Sequence, residues 1–284
     1  MAPDLLVTAG HCVQNQKACN DNFWVFDFKM KDQKTMVQIF SPSQVYKCVE
    51  IISHTYSRTD DDYSLIRLDR AVTDRQPLQV RTEGKVSDTA SLLLIGHPSG
   101  LPMKIADDAI ILDNTMTSFF RANTDSFKGN SGSPVFDAET GIVEGILVRG
   151  AEDYVTYPAI EWDCNLAYLC KGKSCLGESV VRITNIPELS KVPTITNVNV
   201  INVKSTSASL SWSFKNNAIE SIISVKEAPV FDTDCHLLQG EKVKKKEYEI
   251  SGLTPNTEYV VTVCSLNALG KYSNPVQQNF RTMK

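Results

Sequence analysis

Residues 62–68, DYSLIRL, form a short run in which aliphatic and aromatic side chains follow an acidic cluster and no helical spacing appears. Runs of the same kind recur at residues 23–28, 45–52, 91–95, 142–148 and 179–183. Clusters rich in Gly, Ser, Pro or Asn separate them, as at residues 97–100 and 128–132. Short apolar runs between turn clusters are typical of strands, so the sequence predicts an all-β protein with barrel or sandwich architecture.

The overall composition narrows the class of protein. A chain of 284 residues is long enough for one or two domains. Its net charge of −4 argues against a nucleic-acid binder, which would normally be basic. No apolar run approaches the roughly 18 residues of a membrane helix. The eight cysteines include no CxxC pair and the four histidines are scattered, so we expect disulfides formed in an oxidising compartment and neither a metal nor a cofactor.

A change in composition near residues 187–193 divides the chain. Beyond it the sequence alternates with a period of two, as in the run that contains Leu210 and Trp212. We therefore expect one domain at residues 1–190 and a second at residues 191–284.

Three residues that are far apart in the sequence are candidates for one nucleophilic catalytic site. Ser131 lies in GNSGSP, residues 129–134, and a serine hydroxyl needs a base and oxyanion donors before it can act as a nucleophile. Glycine at position 129 allows backbone angles at which the N–H groups of Gly129 and Ser131 point to one spot. His11, after an apolar run, is the candidate base, and Asp62, at the start of a buried strand, is the candidate acid. Taken singly, each segment also fits an ordinary structural role: a turn, a packed histidine and an acidic loop.

Three segments together resemble the signature segments of trypsin-like serine proteases with the chymotrypsin fold, and they occur in that family's order. They are residues 8–12 (TAGHC), 62–68 and 129–134. The resemblance covers roughly residues 1–190 and implies a trypsin-like double β-barrel. It implies His11 as general base, Asp62 rather than Asp61 as its orienting partner, and Ser131 as nucleophile. It also implies that the amides of Gly129 and Ser131 form the oxyanion hole.

The sequence departs from that family at two places. Asn130 stands where the animal digestive members have an Asp that pairs with a new N-terminal amine, and this makes the chain more similar to the bacterial branch. The family also has about two strands before its histidine motif. We therefore expect the first barrel to be incomplete here and this sequence to be weakly active or inactive.

The resemblance extends to the substrate pocket. Residues 145–150, GILVRG, are similar to the strand that lies beside the primary specificity pocket, which implies that Val148, Arg149 and Gly150 bind substrate. Asp125 lies six residues before Ser131, the spacing at which trypsin carries the acid that binds Lys or Arg. Arg149 would instead favour acidic side chains, so the preference stays open between basic, acidic and other residues.

The last ninety residues resemble a fibronectin type III domain. Residues 253–263, LTPNTEYVVTV, are similar to that family's tyrosine corner, and residues 267–270 to its last hairpin. The resemblance implies a β-sandwich packed around Trp212 and Tyr259, with no catalytic residue. Such modules usually hold a surface, glycan or protein partner.

Several disulfide pairings stay open from the sequence alone. The family pairs the cysteine equivalent to Cys12 with an upstream cysteine. Cys12 is also close in sequence to Cys19 and could bond to it. Cys48 is another candidate partner for Cys19. Cys235 and Cys264 are expected to pair. Three more crowd a loop between the pocket strands, where one bridge would restrain the cleft wall: Cys164, Cys170 and Cys175.

The sequence therefore predicts a serine endopeptidase that acts on protein or peptide substrates. The cysteines favour a secreted or periplasmic location, although no signal peptide is visible in this sequence. The alternative is a catalytically inactive adhesion or recognition protein that uses the protease fold as a binding surface.

Overall fold

The structure is a computed structural model and describes residues 2–158, 163–168, 176–190, 192–215, 218–230 and 234–284. The chain divides into two compact units, residues 3–186 and residues 187–284. Strands dominate both units and the helices are short, which confirms the expected all-β class. In the described part of the chain, no helix combines the length and apolar character needed to cross a membrane.

An open antiparallel sheet begins the first unit. Its strands are β1 (Leu5–Thr8), β2 (Phe23–Val25), β3 (Val45–Tyr56) and β4 (Asp62–Leu68), with helix α1 (Gln16–Asp21) between the first two. The order is β1-β4-β3-β2, so β4 pairs on both sides and all seven of its residues are buried. The sheet does not close on itself, in agreement with the expected incomplete first barrel.

A closed barrel follows in the same unit. The strands are β5 (Ser91–Gly96), β6 (Lys104–Asp113), β7 (Phe119–Ala122), β8 (Pro134–Asp137), β9 (Val143–Arg149), β10 (Tyr154–Pro158), β11 (Asp163–Ala167) and β12 (Glu178–Arg182). Six of them close in the order β12-β7-β6-β5-β8-β9, while β10 pairs with β11. Apolar side chains that alternate along the strands fill the interior, among them Leu92, Leu94, Phe120, Val135 and Val180.

Short helical turns complete the first unit and open the second. The 3₁₀ turns are Gly10–Cys12, Pro42–Gln44, Pro98–Gly100 and Ile183–Asn185, and helix α2 is Pro187–Ser190. The first of these turns carries His11 directly after β1.

The second unit is a sandwich of two antiparallel sheets. Its strands are β13 (Thr194–Ile201), β14 (Ser207–Lys215), β15 (Glu220–Glu227), β16 (Glu241–Val243), β17 (Glu247–Ser251), β18 (Glu258–Leu266) and β19 (Val276–Arg281). One sheet has the order β13-β14-β17 and the other β16-β15-β18-β19. Trp212 and Tyr259 lie in the core between them, and the Tyr259 hydroxyl accepts a hydrogen bond of 3.0 Å from the Thr254 N–H. Both features agree with the expected sandwich and tyrosine corner.

The structure contains two of the disulfides that the sequence allowed. Cys19 bonds to Cys48, and Cys235 bonds to Cys264 as expected. The alternative bridge from Cys12 to Cys19 is wrong, because buried Cys19 on α1 lies opposite β3, and Cys12 is a free thiol. The remaining three cysteines, or at least their side chains, lie outside the described residues: Cys164, Cys170 and Cys175.

Candidate active site

The structure brings His11 and Asp62 into direct contact. Asp62 is the first residue of β4 and its side chain is only 1% exposed. One carboxylate oxygen accepts the backbone N–H of His11 at 2.9 Å, and the other lies 2.8 Å from His11 Nδ1. Because a carboxylate can only accept, Nδ1 carries the proton, and in the neutral ring Nε2 is then the basic nitrogen.

Gly10 permits this close approach. A Cβ at this position would lie 2.1 Å from the carbonyl oxygen of Thr55 and 3.0 Å from Asp62 Oδ1. A side chain there would therefore push the turn that carries His11 away from β3 and β4. Only glycine fits at position 10 for steric reasons, and this fit allows His11 to contact Asp62.

The loop that carries Ser131 rests on the segment that carries His11. Gly132 has φ of +86°, and a Cβ there would lie 2.3 Å from Thr8 Oγ1 and 3.0 Å from the backbone nitrogen of Ala9. The two loops therefore touch two to three residues from His11. The structure shows no hydrogen bond between Ser131 and His11 themselves.

Backbone hydrogen bonds fix the shape of the Ser131 loop. Asn130 N–H donates to the Phe127 carbonyl at 3.1 Å, and Gly132 N–H donates to Leu147 on β9 at 2.7 Å. Gly129 has φ of +102°, a conformation that favours glycine. Asn130 is buried, and among the described residues its Oδ1 has no hydrogen-bond partner. The loop is thus held at both ends around Ser131.

The N–H groups of Gly129 and Ser131 remain available. Neither donates a hydrogen bond to any acceptor in the described residues. Both residues line one cavity of about 300 Å³. Unpaired backbone N–H groups on a cavity next to a serine hydroxyl can stabilise a negative oxygen that forms there.

The cavity contains most of the substrate-binding residues expected from the sequence. Val148, Arg149 and Gly150 line it together with Ser131 and Gly129. Asp125 is exposed and does not belong to the lining. The spacing of Asp125 from Ser131 therefore gives no support for a place at the floor of this cavity.

Glu178 is an acid near the cavity that sequence reasoning missed. It is buried at the start of β12, and its Oε1 accepts the N–H of Ser126, a lining residue, at 3.1 Å. A Cβ at Gly150 would meet this oxygen at 3.7 Å, with no other described atom within 4 Å. Burial raises the pKa of Glu178, although hydrogen bonds from Thr124 and Ser126 oppose the shift. The available signal was its position directly before the apolar run at residues 179–183.

Arg149 lines the cavity but directs its guanidinium elsewhere. Its Nη1 donates to the Ser57 carbonyl and its Nη2 to the Asp60 carbonyl, both at 2.9 Å. The group also lies 5.2 Å from the ring of Phe119. Burial lowers the pKa of Arg149, while the negative charge of Asp62 opposes that shift.

Family models match both parts of the chain. A family model described as "Trypsin-like peptidase domain" matches residues 1–146, and one described as "Fibronectin type III domain" matches residues 192–279. A search of curated proteins finds no match.

Several solved structures match part of the chain. "Myokine structure" is 26% identical and covers 33% of this chain and 100% of its own, with a TM-score of 0.27. The FN5 domain of Drosophila Lar is 22% identical and covers 33% and 99%, with a TM-score of 0.25. The inactive form of Rv3671c from M. tuberculosis H37Rv is 14% identical and covers 66% and 76%, with a TM-score of 0.37. The trypsin-like match, which takes in half of the chain, shows that this protein belongs to the family of trypsin-like peptidase domains.

Proposed function

We propose that the protein is a serine endopeptidase that uses Ser131, His11 and Asp62. The observation that carries this proposal is the hydrogen bond between buried Asp62 and His11 Nδ1, beside a loop that presents a serine. The carboxylate holds the imidazole in the tautomer whose Nε2 can take a proton from a hydroxyl.

In the proposed reaction, Ser131 Oγ attacks the carbonyl carbon of a peptide bond and passes its proton to His11 Nε2. The oxyanion accepts hydrogen bonds from the N–H groups of Gly129 and Ser131, and Asp62 stabilises the imidazolium. The tetrahedral intermediate then expels the amine, which takes the proton from His11. Water attacks the acyl-enzyme by the same route and releases the acid.

The bond between Ser131 and His11 that this reaction needs would form when substrate occupies the cavity. Catalytic hydrogen bonds are often long in proteins without substrate and tighten in the complex. The contact of Gly132 with Thr8 and Ala9 keeps the two loops close enough for that adjustment.

The cavity beside Ser131 would receive the side chain that precedes the cleaved bond. Val148 and Gly150 form its wall, and Asp153 also lines it. The carboxyl oxygens of Glu178 and Asp153 would favour a cationic side chain over an anionic one. The sequence-based assignment of Asp125 to this role stays a proposal, and the guanidinium of Arg149 is engaged by carbonyl groups instead.

We infer that the protein is located outside the cytoplasm, secreted or periplasmic, because the two disulfides of its described residues are of a kind that forms and persists in oxidising compartments. Its substrates are proteins or peptides. Residues 191–284 would hold a surface or glycan partner, and residues 1–190 would carry the chemistry.

A fluorophosphonate probe tests the proposal, because it phosphonylates only a serine activated by a base. The full chain should be labelled at Ser131, slowly because the sheet that carries Asp62 does not close into a barrel, and labelling should be lost in Ser131→Ala and in His11→Ala. Ser133→Ala, two residues along the same loop, is the matched control and should label normally. Labelling that survives Ser131→Ala would refute the assignment of the nucleophile.

The same experiment separates the enzyme from an inactive recognition protein. If the folded chain takes no label and cleaves no peptide, the endopeptidase proposal fails and the protease fold serves only for binding. Circular dichroism of each variant shows whether the chain is folded before the comparison is made.

A further inference from the structure

Arg149 connects the closed barrel to the segment that leads into Asp62. It is the last residue of β9, and its two guanidinium nitrogens donate to the carbonyls of Ser57 and Asp60, each at 2.9 Å. These contacts join residues 92 and 89 positions apart in the sequence. One side chain thus holds both ends of residues 57–60, the turn that joins β3 to β4.

Among the described residues, the turn at residues 57–60 makes few other hydrogen bonds to the rest of the first unit. Ser57 N–H donates to the Asp61 carbonyl at 2.9 Å, which closes the turn on itself. Asn185 donates to Asp61 Oδ1 at 2.8 Å. The next residue is Asp62, so a displacement of the turn would move the carboxylate that orients His11.

Charge adds to this mechanical link. Arg149 is half-buried, and the carboxylate that acts on it most strongly is Asp62, followed by Asp60 and Asp61. Among the described residues no hydrogen bond joins Arg149 to Asp62, so the guanidinium does not compete for the oxygens that hold His11. Arg149 also lines the cavity beside Ser131.

We propose that Arg149 is a positioning residue that orients Asp62, and through it His11, by clamping the 57–60 turn against the closed barrel. Two donors that diverge from one planar group are needed, because the carbonyls belong to residues three positions apart. Lysine offers a single nitrogen at the end of a flexible stem and cannot reproduce this fork. The proposal rests on the proposed function, since orientation of His11 matters to a reaction only if Ser131 is the nucleophile.

The test compares Arg149→Met and Arg149→Lys with Arg121→Met in the full chain. Arg121 is the matched control because Arg121 and Arg149 pair with Ser179 from opposite sides of β12. Among the described residues, Arg121 makes no hydrogen bond or ion pair with residues 57–61. Two readouts are used: kcat and KM on a peptide amide substrate, and the proton NMR resonance of His11 Nδ1–H.

We expect Arg149→Met to lower kcat about 100-fold, the loss typical of a displacement near 1 Å at a catalytic group, with KM changed less than threefold. The Nδ1–H resonance should shift or broaden beyond detection. Arg149→Lys should recover part of kcat but stay about tenfold below the parent chain. Arg121→Met should leave both readouts unchanged.

Each other outcome has a defined meaning. If Arg149→Met folds, keeps the Nδ1–H resonance and keeps kcat within twofold, the clamp has no positioning role, even if the protein is less stable. If Arg149→Lys matches the parent chain in both readouts, positive charge alone suffices and the need for two diverging donors is refuted. Should Arg149→Met not fold, Arg149→Lys by itself tests the positioning role. If the parent chain has no turnover but its resonance depends on Arg149, the endopeptidase proposal fails while the clamp stands.

Discussion

Gly132→Ala is the substitution that most sharply tests the contact between the nucleophile loop and the histidine segment. At φ of +86° any side chain costs about 1–2 kcal/mol of backbone strain. The new Cβ would also lie 2.3 Å from Thr8 Oγ1 and 3.0 Å from the Ala9 nitrogen. Thr8 can rotate its hydroxyl, but the Ala9 backbone cannot yield without moving the turn that carries His11.

The magnitude follows from these two costs. Insertion of a methyl group into a packed site costs about 1–3 kcal/mol. The sum predicts that Gly132→Ala lowers the free energy of unfolding of the first unit by about 2–5 kcal/mol. Because the strain separates Ser131 from His11, kcat/KM should fall about 100-fold in the molecules that remain folded.

Gly141→Ala is the matched control. Gly141 also has a left-handed backbone, with φ of +70°, but a Cβ there meets no described atom within 4 Å. It should show only the strain of about 1–2 kcal/mol and normal activity. Urea denaturation and peptide hydrolysis measure the two quantities. Equal activity of Gly132→Ala and Gly141→Ala would refute the claim that the nucleophile loop rests on the histidine segment.

Three further changes have defined outcomes. Replacing both Cys19 and Cys48 by serine should lower the free energy of unfolding by about 3.6 kcal/mol, which is the loop-closure value for their separation of 29 residues. Urea denaturation measures this loss, and a loss below about 1 kcal/mol would contradict the prediction. Asp27→Asn should cost about 0.5–1 kcal/mol at pH 7, because the hydrogen bond from Arg75 lowers the pKa of this largely solvated carboxyl to about 2. That contribution is complete above pH 4 and is lost as pH falls through 2, so the gap between variant and parent should close over this range, and a constant gap would exclude the linkage. Asp62→Asn should lower kcat about 10⁴-fold, since an amide N–H facing Nδ1 reverses the tautomer, and a loss below tenfold would remove Asp62 from the mechanism.

The sequence was sufficient for the architecture because that information is local. Short apolar runs and turn clusters specify strands without knowledge of their partners, and the all-β barrel and sandwich follow. The pairing of His11 with Asp62 was also accessible, since both stand in segments whose order and residue types resemble a known family. Pairing of Cys19 with Cys48 was one of two alternatives that spacing alone could not separate.

The sequence could not supply effects that depend on the direction of a side chain. Asp125 was singled out by its spacing from Ser131, yet it is exposed outside the cavity lining, whereas Glu178 lies against that lining at Ser126 and Gly150. Arg149 was predicted to bind acidic substrate side chains because it lies in a segment that resembles the strand beside the specificity pocket. Its guanidinium reaches backbone carbonyls some ninety residues away, which no local pattern reveals.

The kinetics of His11→Ala, Ser131→Ala and the double variant test most directly whether these residues act as one unit. Groups in one proton-transfer chain lose nearly the same activity singly or together, because either change disables the whole chain. We predict that kcat of the double variant equals that of the poorer single variant within about threefold. If the two losses instead multiply, His11 and Ser131 act independently and the shared mechanism is contradicted.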